Sequence, residues 1–219
     1  MRAFHFDTHA YYHVYNRGVD KRKIFLSRNY YIRFIRTIRN ILNTGSATVR
    51  AGKIQSLALT KTPHIPPVTF LVYALMPNHY HFLLRQDEDM GITTFMHKLD
   101  TSYTKFFDLN HKRSGHLFEY AFKAKQIESE EELVHVCRYI DLNATIARIS
   151  KTPEKYEWSS YKDYIGKRNG TLCDKSIILS YFQYDPKKYE SFVLDQIEYA
   201  KVLHLAKKEI ENDEDSYYL

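Results

Sequence analysis

Cysteine is scarce in this chain: Cys137 and Cys173 are the only two among 219 residues. That is too few for a disulfide framework or a cysteine-ligated zinc site, and it predicts a reducing, cytoplasmic setting. No apolar run approaches the length of a membrane span, so no membrane partner is expected. The opening MRAFHFDTHAYYHV lacks the continuous apolar core of a signal peptide. Internal repeats and low-complexity tracts are absent. Acidic residues are sparse in the first sixty positions, where Asp7 and Asp20 stand against eleven Lys or Arg and leave that stretch at +9. The whole chain is only +6, so the remainder is slightly acidic. Such asymmetry suits a polyanionic partner, nucleic acid foremost, or else a solvated basic helix face.

What is present in quantity is aromatic, with 19 Tyr and 13 Phe. The length allows one well-buried domain with an appended helical piece. YYHVYNRG alternates aromatic and polar residues up to a glycine, which predicts a strand and a turn. In SRNYYIRFIRTIRNIL, Tyr31, Phe34, Ile35, Ile38 and Leu42 recur at helical spacing behind a Ser27 cap. Arg33, Arg36 and Arg39 fall on the solvent side of that helix. A Gly-, Ser-, Thr- and Pro-rich stretch from Asn43 to Pro67 predicts a long loop holding at most a short hairpin.

VTFLVYALMPNHYHFLLRQ divides into strands 68–75 and 79–86 about a Pro77-Asn78 turn, so the two should pair antiparallel. A helix over GITTFMHKLDTSYTKFFDLN follows, then the basic loop HKRSGHLFEYAFKAKQI ending in a strand over 122–127. Ser129 and Glu132 form a capping box opening a third helix. From about residue 158 the chain reads as helical and polar. The order predicts an α+β fold: a ferredoxin-like antiparallel sheet with helices packed on one face, plus a C-terminal helical extension. The domain division is placed at 1–165 and 166–219.

His79 and His81 flank Tyr80 on a strand, so both imidazoles point to one face. Two imidazoles supply two ligands of a cation, and a third must come from elsewhere. The alternative is a pair of structural histidines at a sheet edge. In RYIDLN on the third helix, Tyr139 and Asn143 stand four residues apart and share a helix face. That face can bring an amide oxygen toward the histidines, or it can fill a core margin and cap a helix end.

YHVYNRG, ALMPNHYHFLLR, SGHLFEYAFKAKQI, CRYIDLN and EWSSYKDY occur in that order. Together they resemble the REP-associated tyrosine transposases, relatives of the single-tyrosine insertion-sequence transposases of the HUH endonuclease superfamily. The likeness spans about residues 11 to 165, and Met-Pro-Asn-His-x-His is its specific part. The resemblance implies that His79, His81 and Asn143 hold the metal and that Tyr139 is the nucleophile. The implied reaction is a transesterification on single-stranded DNA, leaving a 5′-phosphotyrosine and a free 3′-hydroxyl. Neutral ligands with open positions suit Mg²⁺ or Mn²⁺. Asn16, Arg17, Lys21, Arg22 and Lys23 match the loop after the first strand. Arg113, Lys123 and Lys125, with Lys112 and His116, form a second basic cluster, and both groups are expected on DNA.

The expected partner is therefore single-stranded DNA carrying a hairpin or repetitive palindromic element. Relatives occur both as homodimers and as monomers, so the resemblance leaves both states open. Relatives commonly follow the Tyr and Asn with Pro-Val-Arg-Ala, whereas this chain has Ala144 and Thr145. Ala121 stands where they often carry arginine, and the 43–67 loop is longer than usual. These departures bear on which hairpin is read. Two other readings compete: a domesticated, catalytically weak protein that binds single-stranded DNA hairpins, and a phosphodiesterase that uses water. Tyr103, a rival nucleophile, has Phe107 one turn on and is expected to pack.

Overall fold

A computed structural model describes residues 5–44 and 66–197. Most of the 43–67 loop, and the chain after 197 with its acidic terminus, lie outside the described residues. Four strands follow the sequence reading closely: β1 Tyr11–Arg17, β2 Val68–Met76, β3 His79–Gln86 and β4 Lys123–Ile127. They form one antiparallel sheet in the order β2-β3-β1-β4. The helices are α1 Arg28–Thr44, α2 Gly91–His111, α3 Glu130–Ile146 and three short ones, α4 Tyr161–Tyr164, α5 Ser176–Ser180 and α6 Pro186–Leu194. The expected α+β class, with helices packed on an antiparallel sheet, is borne out.

The chain clusters into two units, and β2 and β3 are each divided between them. The first holds β1, α1, α2, most of β4 and the ends of β2 and β3. Tyr12, Val14 and Asn16 of β1 are buried, while Tyr11, His13, Tyr15 and Arg17 alternate with them on a more open face. Gln86 N donates to Ala10 O and Gly18 N to Asn78 O, one register at both strand ends. That register sets Arg17 directly opposite His79. Along α1 the apolar stripe buries Tyr31, Phe34 and Ile38 and leaves Arg33, Arg36 and Arg39 exposed. Phe34 meets Tyr103 of α2 edge-on at 4.8 Å. The Tyr103 hydroxyl donates to Ile24 O at 2.7 Å.

The second unit holds α3 to α6 with the remaining parts of β2 and β3. Ser129 caps α3 by accepting from Glu132 N, and the Glu132 carboxylate accepts from Glu128 N. Met76 of β2, Ala144 of α3 and Tyr156 form a buried cluster covered by Trp158 and Ala147.

Residues 158–160, expected to be helical, are instead extended along β2. Ser159 bridges Ala74, Leu75 N donates to Trp158 O, and Ser160 N donates to Tyr73 O. Two phenols complete this seam, Tyr156 donating to Leu75 O and Tyr164 to Leu71 O. Pairing with β2 outweighs local helix propensity here, because the backbone groups of an edge strand need partners. Beneath lies Asp141 of α3, fully buried, accepting from Tyr189 of α6 at 2.6 Å and from Ser160 Oγ at 3.4 Å.

Candidate active site

The tight turn preceding β3 is fastened to the loop that follows β1. Ile24 N and Phe25 N both donate to Pro77 O, Asn78 O accepts from Gly18 N, and Asn78 Nδ2 donates to Lys21 O at 3.1 Å. Gly18 is required at this junction, since a Cβ there would lie 2.5 Å from Arg22 O. Asp20 and Lys21 take left-handed backbone with φ of 56° and 55°, which turns the loop back on itself. The result is a rigid entry to β3.

His79 is the first residue of β3, and Asn78 Oδ1 sits 2.7 Å from its Nδ1. With Asn78 Nδ2 committed as a donor, its oxygen accepts and His79 Nδ1 is the donor of this pair. This pair fixes the orientation of the imidazole ring. His81 shares the strand face by the two-residue period and is 7% exposed.

The His81 ring stands edge-on to Tyr139 of α3, with centroids 5.6 Å apart and planes at 83°. Tyr139 is nevertheless 46% exposed, whereas Ile140, Asp141 and Leu142 beside it are buried. A large aromatic presented to solvent next to a buried histidine is accessible to a substrate. Asn143, half-buried, follows one helical turn later on the same face of α3. Among the described residues no three of His, Cys, Asp or Glu group as a metal site. Imidazole and amide side chains are neutral donors, a chemistry that fits a divalent ion whose remaining positions take phosphate and water. Tyr103, by contrast, is fully buried with its hydroxyl committed, and burial drives its phenol pKa far upward.

The basic residues fall into two kinds. Lys21, Arg22 and Lys23 are exposed on the loop after β1, and Lys123 and Lys125 are exposed on β4. Lys123 lies over the Tyr120 ring at 4.3 Å. Arg17 is exposed but forms a two-pronged pair with Glu119 at 3.1 and 3.2 Å. Asn16 is 2% exposed, and its amide nitrogen donates to Asp100 Oδ2, Tyr120 O and Ala121 O while its oxygen accepts from Arg17 N. Its reach is spent on shaping the loop before β4. Arg113 likewise holds its own loop, donating to Asp108 Oδ1 and His116 O.

Two groups escaped the sequence reading, Asn78 at this site and His13 on β1. Asn78 was seen as a turn residue only, and no spacing rule marks it as an orienting group. His13 was passed over inside an alternating strand. Its ring lies 5.1 Å from Tyr15, and burial, helped by the Lys125 charge, lowers its pKa to about 4.

Comparison with known proteins bears out the resemblance. Residues 61–143, the stretch holding His79, His81, Tyr139 and Asn143, match the family model described as transposase IS200 like. The fold is similar to a solved REP-associated tyrosine transposase bound to a REP hairpin, at 13% identity and a TM-score of 0.56. That match covers 80% of this chain and 94% of the other. Curated protein sequences give no match.

Proposed function

We propose that this chain, matched over residues 61–143 by the IS200-like transposase model, is a DNA transposase that cleaves and rejoins single strands with Tyr139 as nucleophile. The observation that carries the proposal is the exposed Tyr139 ring set against His81 on the strand that also holds His79. The Tyr139 phenol gives up its proton as its oxygen attacks a backbone phosphorus. The new O–P bond replaces the bond to the 3′ oxygen, which leaves as a 3′-hydroxyl after taking up a proton. The 5′ end stays on the enzyme as a phosphotyrosine, and the reverse attack by a 3′-hydroxyl rejoins strands without ATP.

His79, His81 and Asn143 would hold a divalent ion, Mg²⁺ or Mn²⁺, which would polarise the scissile phosphate and offset charge on its oxygens. Asn78, by accepting from His79 Nδ1, would set the orientation of that ring. Lys21, Arg22, Lys23, Lys123 and Lys125 take backbone phosphates, and Asn16, Arg17 and Arg113 set the loops that carry them. The substrate is single-stranded DNA with a hairpin.

The test is a denaturing protein gel after incubation with Mn²⁺ and a hairpin oligonucleotide from beside the gene. A covalent protein–DNA band is expected, and Tyr139→Phe should abolish it. Tight binding with no adduct would instead identify a hairpin-binding module, and released fragments without an adduct a hydrolase.

A further inference from the structure

The open face of β1 is a row of rings: Tyr11, His13 and Tyr15 stand at alternate positions and end at Arg17. All three are half-buried, unlike the fully buried Tyr12 and Val14 on the other side. The register places Arg17 opposite His79, so this row ends beside a residue of the proposed site. β4 brings its lysines to the same face. Its other side is fixed by Phe122, whose ring is 6.0 Å from Phe6, which in turn meets Tyr12 at 4.8 Å. Lys123 and Lys125 therefore point with His13, consistent with the effect of the Lys125 charge on that imidazole.

The geometry points to this face as a stacking platform for unpaired bases, with Tyr11, His13 and Tyr15 under successive bases and Lys123 and Lys125 on the flanking phosphates. The inference rests on the proposed action on single-stranded DNA and extends it to the path of the strand. Three features select that occupant. Rings at alternate positions of a strand recur about every 6.6 Å, a spacing that an extended single strand can follow and a stacked duplex cannot. The charge is complementary: Lys123 and Lys125 are basic, and Arg17 and Glu119 offset each other as a pair. An imidazole kept neutral also presents a π face to a base, as the phenols do.

The test uses full-length Tyr139→Phe protein, so that binding is read without cleavage. Binding to a single-stranded oligonucleotide of about 12 nucleotides is measured with and without a further Tyr15→Ala change. A loss of about tenfold is expected, with Tyr15→Phe retaining affinity. Abasic positions scanned along the strand should contain one at which the effect of Tyr15→Ala disappears. Unaltered affinity in Tyr15→Ala, or a loss that persists at every abasic position, overturns the inference. Photocrosslinking of 5-iodouracil strands to the Tyr15-containing protein gives a reading that does not depend on the variant's folding. Adducts on Tyr11, His13 or Tyr15 support the platform, and adducts confined to other elements overturn it. A parent protein that forms the Tyr139 adduct yet shows no base dependence here loses this inference alone. A parent that binds no single strand loses the proposed function with it.

Discussion

Asn78 performs two tasks with one side chain. Its nitrogen fastens the turn to Lys21 O, and its oxygen fixes the ring of His79. Partners of this kind are worth roughly 10- to 100-fold in metal affinity. Asn78→Ala should therefore raise the Mn²⁺ concentration needed for half-maximal adduct formation by about tenfold, while saturating Mn²⁺ restores much of the activity. A Mn²⁺ titration identical to the parent's would show that His79 needs no such support. The sequence marked His79 and His81 through strand periodicity, because a two-residue period is a property of the chain itself. It could not mark Asn78, whose role depends on which atoms the folded turn brings to its amide. Asn16 shows the same limit from the other side. It reads as a polar group beside an arginine, yet folding buries it against α2 and the loop before β4.

At the scale of elements, α3 is tied to the C-terminal helices through Asp141. Its buried carboxyl accepts from Tyr189 and Ser160, and burial raises its pKa to about 7. Because the folded state holds this proton more tightly than the unfolded chain, the contribution to stability is complete below the ordinary carboxylate range. It is lost as pH rises from there through about 7. Asp141→Asn, which keeps an acceptor for Tyr189 without a charge, should flatten this dependence. Thermal midpoints compared at pH 5 and pH 8 would read it, and parallel profiles for parent and variant would refute it.

Legibility at this scale followed locality. β3 matches its expected bounds, and the cap of α3 was visible in Ser129 and Glu132, since hairpin and capping signals are local. The stretch 158–160 was misread because its extended form comes from pairing with β2, more than eighty residues earlier in the chain.

At the scale of the whole molecule, basic residues crowd the first sixty positions, and the described ones on α1 and the loop after β1 face solvent. Affinity for single-stranded DNA should fall steeply with salt, with a logarithmic slope of about −0.7 for each phosphate neutralised. Replacing Lys21, Arg22 and Lys23 together with alanine should reduce that slope by about 2 if each meets one phosphate. An unchanged slope would remove the loop after β1 from the interface.

The seam along β2 has a consequence for how copies of this chain can meet. A strand with open carbonyls invites another strand, from a second copy or from an aggregate. Here the oxygens of Leu71, Tyr73 and Leu75 are already occupied by Tyr164, Ser160 and Tyr156. Along residues 71–75, two copies thus meet no open carbonyl on which to merge their sheets into one continuous ribbon. The tyrosines around 156–164 act as a selvedge that finishes the fabric along this stretch of β2.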